Sequence, residues 1–148
     1  MATPRLMEPM YGVSVIGDGG AIAATYECLG RRRGHILTEA PVAGTPLQRA
    51  TGLIPVIDSF GFETELRIQA KGKLDVSLSF ERWNVVPGDP LDRDVILRPL
   101  QPAPPLALAR DFVLKTRKRK GLSEDVSVAK FLEREFYEDL LADGTLEA

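Results

Sequence analysis

At 148 residues, 44% apolar and 27% charged, the chain has the composition of one soluble globular domain with room for a tail. Its formal net charge of −2 conceals a split: Arg98 to Gly121 carries seven Lys/Arg against one acid, and Leu122 to Ala148 carries eight acids against two bases. No apolar stretch approaches the roughly 20 residues that span a bilayer, Met1 to Pro9 lacks the apolar core of a secretory leader, and the single Cys28 excludes an intrachain disulfide, which fits a reducing compartment.

Met10 to Ile16 reads as a first strand with Tyr11, Val13 and Val15 on one face. Asp18 is placed to cap a helix from about Gly19, with Ile22, Tyr26 and Leu29 on its inner face. Arg31, Arg32 and Arg33 are expected to close that helix, where cations complement its dipole, and Gly34 to stop it. Gly34 to Val42 and Leu47 to Val56 read as the second and third strands, joined by the turn Gly44-Thr45-Pro46. A second helix is expected from Asp58 or Ser59 to Gly72, with Phe62, Leu66 and Ala70 lining one side. Leu74, Val76, Leu78 and Phe80 alternate with polar residues, the cleanest period-two signal in the chain. The order is β-α-β-β-α-β, the split ferredoxin-like arrangement, an α+β sandwich of two helices on one side of a four-stranded antiparallel sheet.

Six prolines between Pro87 and Pro105 favour extended, semi-rigid chain. Leu106 to Lys120 regains helical potential, and Ser127 is placed to cap a last helix in which Val128, Leu132, Phe136 and Leu140 recur every four residues. The organisation is therefore a ferredoxin-like domain over 6–86, a proline-rich linker over 87–105 and a basic then acidic helical tail over 106–148.

Enzymatic chemistry finds little support. Gly72-Lys73 lacks the earlier glycine and the hydroxyl residue of a phosphate loop. One histidine, His35, and one cysteine do not make a metal site or a nucleophile–base pair of the usual kind. Ser59-Phe60-Gly61-Phe62-Glu63 has a faint likeness to the aromatic signature of RNA-recognition motifs, but it opens a helix, whereas that motif stacks bases on strand residues. The strongest positive signal is Lys115 to Lys120, in which five of six residues are cationic. Such a block is most simply a solvated helix face, yet its place beyond the proline bridge suits docking to phosphate or to acidic protein. Lys115, Arg117, Lys118, Arg119 and Lys120, together with Arg31, Arg32, Arg33 and His35, are the candidate contact residues. Trp83 reads as a domain or interface anchor.

Four stretches resemble the carboxyl-terminal domain of the elongation factor 2 family, in its order and spacing. They are Leu6-Met7-Glu8-Pro9-Met10-Tyr11, Arg31-Arg32-Arg33-Gly34-His35, Asp58-Ser59-Phe60-Gly61-Phe62-Glu63-Thr64-Glu65-Leu66-Arg67, and Val86-Pro87-Gly88-Asp89-Pro90-Leu91-Asp92. Each is weak alone; four in register are specific, and that family's last domain has the same split fold. Ile96-Leu97-Arg98-Pro99-Leu100, Pro102 to Pro105, Leu108-Ala109-Arg110-Asp111-Phe112 and the run from Lys115 through Gly121-Leu122-Ser123-Glu124-Asp125-Val126-Ser127 are similar to the elongation-factor-like GTPases of the U5 small nuclear ribonucleoprotein. Gly17-Asp18-Gly19-Gly20 and the end from Glu133 depart from that pattern.

The resemblance implies a terminal piece of a spliceosomal GTPase, with no catalysis, cofactor or metal of its own. GTP would belong to an amino-terminal domain outside these residues. It implies the nucleus as location, U5 proteins and neighbouring domains of the same polypeptide as partners, small nuclear RNA as a further candidate, and no membrane. Two alternatives remain open on sequence: the last domain of translation elongation factor 2, contacting the ribosome, and a free-standing small enzyme on a scaffold that hosts many chemistries.

Overall fold

The computed structural model describes residues 3–98, 100–125 and 130–144. The expected alternation forms as β1 (Met7–Gly17), α1 (Gly19–Gly30), β2 (His35–Pro41), β3 (Gln48–Pro55), α2 (Phe62–Gln69) and β4 (Leu74–Val85), followed by α3 (Leu108–Arg119) and α4 (Arg134–Ala142). Residues 7–85 make one compact unit; residues 3–6 with the described residues from Val86 onward make another.

In the first unit the sheet order is β2-β3-β1-β4, with every pairing antiparallel, as the split βαββαβ reading requires. Val13 and Val15 of β1 lie opposite Gly52 and Ala50 on β3 and opposite Leu78 and Val76 on β4. Their face joins Ile54, Ile22, Cys28 and Leu29, and Phe62 and Leu66, in one buried cluster. Phe62 and Leu66 are fully buried, each contributing about 2–3 kcal/mol of apolar transfer energy. Among the described residues no helix is long and apolar enough to cross a membrane.

Asp18 caps α1 as its sequence position suggested, its Oδ1 accepting the Ala21 amide at 2.8 Å. The inner face differs by one residue from expectation. Thr25 is buried, its hydroxyl donating to the Ala21 carbonyl at 2.8 Å, whereas Tyr26 is half-exposed and donates to Glu39 at 3.0 Å. A threonine that satisfies its own hydroxyl within the helix can be buried where a phenol cannot.

The end of α1 also differs. The helix stops at Gly30, and Arg31 to Arg33 form the turn beyond it, with Arg33 rather than Gly34 in the left-handed region at φ 56°. Gly34 is required for another reason: a Cβ there would lie 2.8 Å from both the Leu53 carbonyl oxygen and Leu29 Cδ2.

The second helix starts later than expected. A 3-10 turn, Val56–Asp58, precedes it, and Gly61 at φ 77° occupies its N-cap without a side-chain bond. Phe62, Leu66 and Ala70 face inward as their spacing indicates, and Lys71 and Gly72, both left-handed, end the helix.

A register shift falls between Met10 and Tyr11 in the β1–β4 ladder. Tyr11 pairs with Phe80 but Met10 with Arg82, so Glu81 is the additional residue. The bulge reverses the alternation along β4 and brings Trp83 to the side of Phe80, where the rings meet edge-on at 6.1 Å. Both rings are more than half exposed.

In the second unit, the Val86 amide donates to the Leu6 carbonyl at 2.8 Å. The proline-rich stretch is tied to the helix that follows: the Ala109 amide donates to Pro87 at 3.2 Å and Arg110 to the Pro90 carbonyl at 3.2 Å. Gly88, at φ 98°, lies against Leu106, and a 3-10 turn at Pro105–Ala107 leads into α3. The last helix starts at Arg134 with Glu133 as N-cap, so Leu132 precedes it; the expected cap Ser127 and Val128 lie outside the described residues.

Candidate interaction surfaces

The three arginines after α1 meet carboxylates contributed by β1, the 3-10 turn and α2. Arg33 forks onto Glu8, donating to its two oxygens at 2.9 and 2.8 Å, and its Nε reaches Asp58 Oδ2 at 2.7 Å. Glu8 is buried, and its hydrogen bond holds the Arg33 guanidinium pKa above the ordinary value. Arg32 donates to Glu65 Oε2 at 2.7 and 3.2 Å and to the carbonyls of Asp58 and Phe60 at 2.9 and 2.8 Å. Arg31 pairs with Glu27 and, at 3.0 Å, with Glu65. The turn is therefore a clasp that fixes the Asp58–Gly61 loop, which presents Phe60 at 76% exposure beside half-exposed Ile57. Arg31 and His35 face solvent, while Arg32 and Arg33 are part-covered.

Glu65 connects the clasp to α2. The Arg32 hydrogen bond, ahead of any other influence, holds its carboxyl below the usual carboxylate range. A carboxylate whose folded pKa is depressed stabilises the fold above its unfolded value of about 4.3, and that contribution is lost as pH falls through the folded value. Glu65→Gln should therefore be less stable than the unmodified chain at pH 6–7, and the gap should close below pH 4. Urea titrations at stepped pH would measure it; a gap constant with pH would show that the ion pair carries no linkage.

Cys28 is buried in α1, its thiol 3.2 Å from the Gln69 side-chain oxygen, and burial raises its pKa. Those features describe a packing residue rather than a nucleophile. Among the described residues no group of His, Cys, Asp and Glu could hold a metal ion.

The basic run forms the last turn of α3 and its exit. Gly121, at φ 68°, turns the chain left-handed; its amide returns to Lys118 at 3.0 Å and that of Leu122 to Arg117 at 2.9 Å. Lys115 pairs with Asp111 at 2.6 Å, Arg117 donates to the Ser123 carbonyl at 2.6 Å, and Arg119 reaches the Thr116 hydroxyl at 3.5 Å. Lys118 and Lys120 are exposed and make no ion pair among the described residues. The favourable helix-end position explains part of this cluster by itself. Five cations within six residues exceed what capping a helix of this length requires.

Sequence reasoning named eight Lys/Arg and His35 as candidates but not the partners of Arg31, Arg32 and Arg33. Glu8, Asp58 and Glu65 lie 25 to 34 positions from the arginines they bind, and nothing local marks those pairings. Nor did it distinguish Arg32 and Arg33, which hold the loop, from Arg31 and His35, which face outward.

Comparison with known proteins places this architecture. The family described as Elongation factor G C-terminus matches residues 5–94. The chain is 48% identical over 145 residues to Pre-mRNA-splicing factor cwf10 of Schizosaccharomyces pombe, covering 98% of this chain and 15% of that protein. It is 51% identical over 133 residues to the 110 kDa U5 small nuclear ribonucleoprotein component CLO of Arabidopsis thaliana, covering 90% and 14%. It is 40% identical over 153 aligned positions to Pre-mRNA-splicing factor SNU114 of Saccharomyces cerevisiae, covering 97% and 15%. The chain thus spans about one-seventh of the length of the curated relatives it matches. The matched family is a carboxyl-terminal one and not a nucleotide-hydrolysing domain. With its split βαββαβ sheet and the match over residues 5–94, the chain belongs to the elongation factor G C-terminal family.

Proposed function

We propose that this chain is the terminal docking region of a nuclear, U5-associated splicing GTPase, with hydrolysis performed by another part of that polypeptide. The observation that supports it most is identity of 40–51% to splicing factors and U5 components across nearly the whole chain. The basic end of α3 is its phosphate-facing contact. Lys118 and Lys120 lead it, since they are exposed in the last turn and at the C-cap without an internal counter-ion among the described residues, and Arg117, Arg119 and Lys115 flank them. Arg31 and His35 offer a second, smaller contact, and Arg32 and Arg33 serve it by position. Other U5 proteins and neighbouring domains of the same polypeptide complete the set of partners.

Binding of a single-stranded RNA probe tests the phosphate-facing part. Each phosphate neutralised contributes about −0.7 to the slope of log K against log salt. Lys118→Ala with Lys120→Ala should flatten that slope by about 1.4. A flat dependence in the unmodified chain, or an unchanged slope in the variant, removes RNA from the proposal. Pull-down separates the larger readings: U5 proteins retained on the full-length protein support splicing, and ribosomal subunits retained instead support a translational role.

A further inference from the structure

The last helix carries an arrangement that the basic cluster does not use. Over Arg134–Ala142, Phe136, Tyr137, Leu140 and Leu141 fall on one contiguous side at 100° per residue, and Glu135, Glu138 and Asp139 fall on the other. None of the nine residues is buried: Phe136 is 54% exposed, and Tyr137, Leu140 and Leu141 are only partly covered. Glu133 supplies no side-chain cap bond, and the one side-chain pair within the helix joins Arg134 to Glu138 at 3.0 Å, both well exposed. A helix this short is marginal in water without burial of an apolar stripe, since isolated helices need roughly 12–15 residues even in favourable sequences. Its fold therefore asks for a cover.

Charge identifies the cover. Three acids flank the apolar stripe against the single Arg134, and Glu133 and Asp143 add two more at its ends. Such a rim repels nucleic acid and acidic protein, and attracts a surface edged by Lys and Arg. We propose that α4 docks, as a helix in a groove, into a partner protein whose groove has an apolar floor and a basic rim, with Phe136 and Leu140 as its i, i+4 anchors. This docking is separate from the phosphate contact at α3 and does not depend on it. The two surfaces carry opposite charge and select opposite partners from one tail.

The test uses the full-length protein in its cellular assembly, with the photo-crosslinking amino acid p-benzoylphenylalanine at position 136. Cross-linked peptides are sequenced to locate the contacted residues. The expected result is cross-linking to one protein segment in which apolar residues are flanked by Lys or Arg. Reversing the rim with Glu135→Lys, Glu138→Lys and Asp139→Lys should lower that yield about tenfold. Because those side chains lie outside the buried cluster of the sheet, the thermal melting of the sheet should be unchanged. Hydrogen exchange supplies an independent reading: α4 amides should exchange freely in the isolated chain and at least tenfold more slowly in the assembly. Cross-links to RNA, to α3 of the same chain, to a second copy or to nothing would each overturn the proposal, as would a yield indifferent to charge reversal.

Discussion

Gly88→Ala is expected to detach the basic helix from the proline-rich stretch before it while leaving the sheet intact. Gly88 adopts φ 98°, a conformation that costs an L-residue roughly 1–3 kcal/mol. A Cβ there would also overlap the Leu106 carbonyl, with its carbon 2.8 Å away, and this neighbour is backbone rather than a side-chain tip that can rotate aside. Relief requires moving Leu106, hence the turn that leads into α3, and that breaks the Ala109–Pro87 hydrogen bond. The combined penalty should exceed about 3 kcal/mol locally. Proteolysis should then cut between Leu91 and Leu106, the Ala109 amide should lose its exchange protection, and thermal melting of the sheet should change little. A single cooperative transition at the original temperature, with Ala109 still protected, would show that the close approach is dispensable.

Arg33→Ala should be the most damaging change within the clasp. It removes the fork onto Glu8 and the bond to Asp58, and leaves a buried carboxylate without its counter-ion. Breaking a buried pair from one side costs about 3–5 kcal/mol; Arg33 keeps a quarter of its side chain in solvent, so about 3 kcal/mol is expected. Arg33→Lys retains charge but not the planar fork and should recover less than half. Glu8→Gln combined with Arg33→Ala should cost less than the sum of the single changes, since each alone strands the other group. Urea midpoints of the four proteins make the cycle; additive losses would mean that the pair is not coupled.

Arg33 also shows where sequence reasoning reached its limit. The strand alternation from Leu74 to Leu78, the cap at Asp18 and the fourfold spacing of Phe62, Leu66 and Ala70 are local patterns, and each appears in the structure where the sequence put it, whereas Phe80, expected on the same buried face, is exposed beside the bulge. The arginine turn is not local. Its left-handed conformation is tolerated because distant carboxylates hold the side chain, so an arginine takes the position that sequence alone assigns to Gly34. The bulge at Glu81 was invisible for a similar reason: it depends on how β4 registers against β1, and no residue in the strand announces it. Leu132 was expected within the last helix and precedes its N-cap instead, because fourfold apolar spacing continues beyond the helical residues. Of the candidate contacts, the cationic run was legible as a block, while the internal engagement of Arg32 and Arg33 required the exit of α1 to pack against β1, the 3-10 turn and α2.

The bulge has a practical consequence. Trp83 is the one tryptophan in the sequence, and the reversed alternation leaves its indole mostly in water next to Phe80. Its fluorescence therefore reports on a single place, the outer margin of the sheet. Any molecule that settles there will shift the emission toward the blue, and any that leaves this margin untouched will leave the colour unchanged. The fold thus carries its own unlabelled optical gauge for telling one docking event from another.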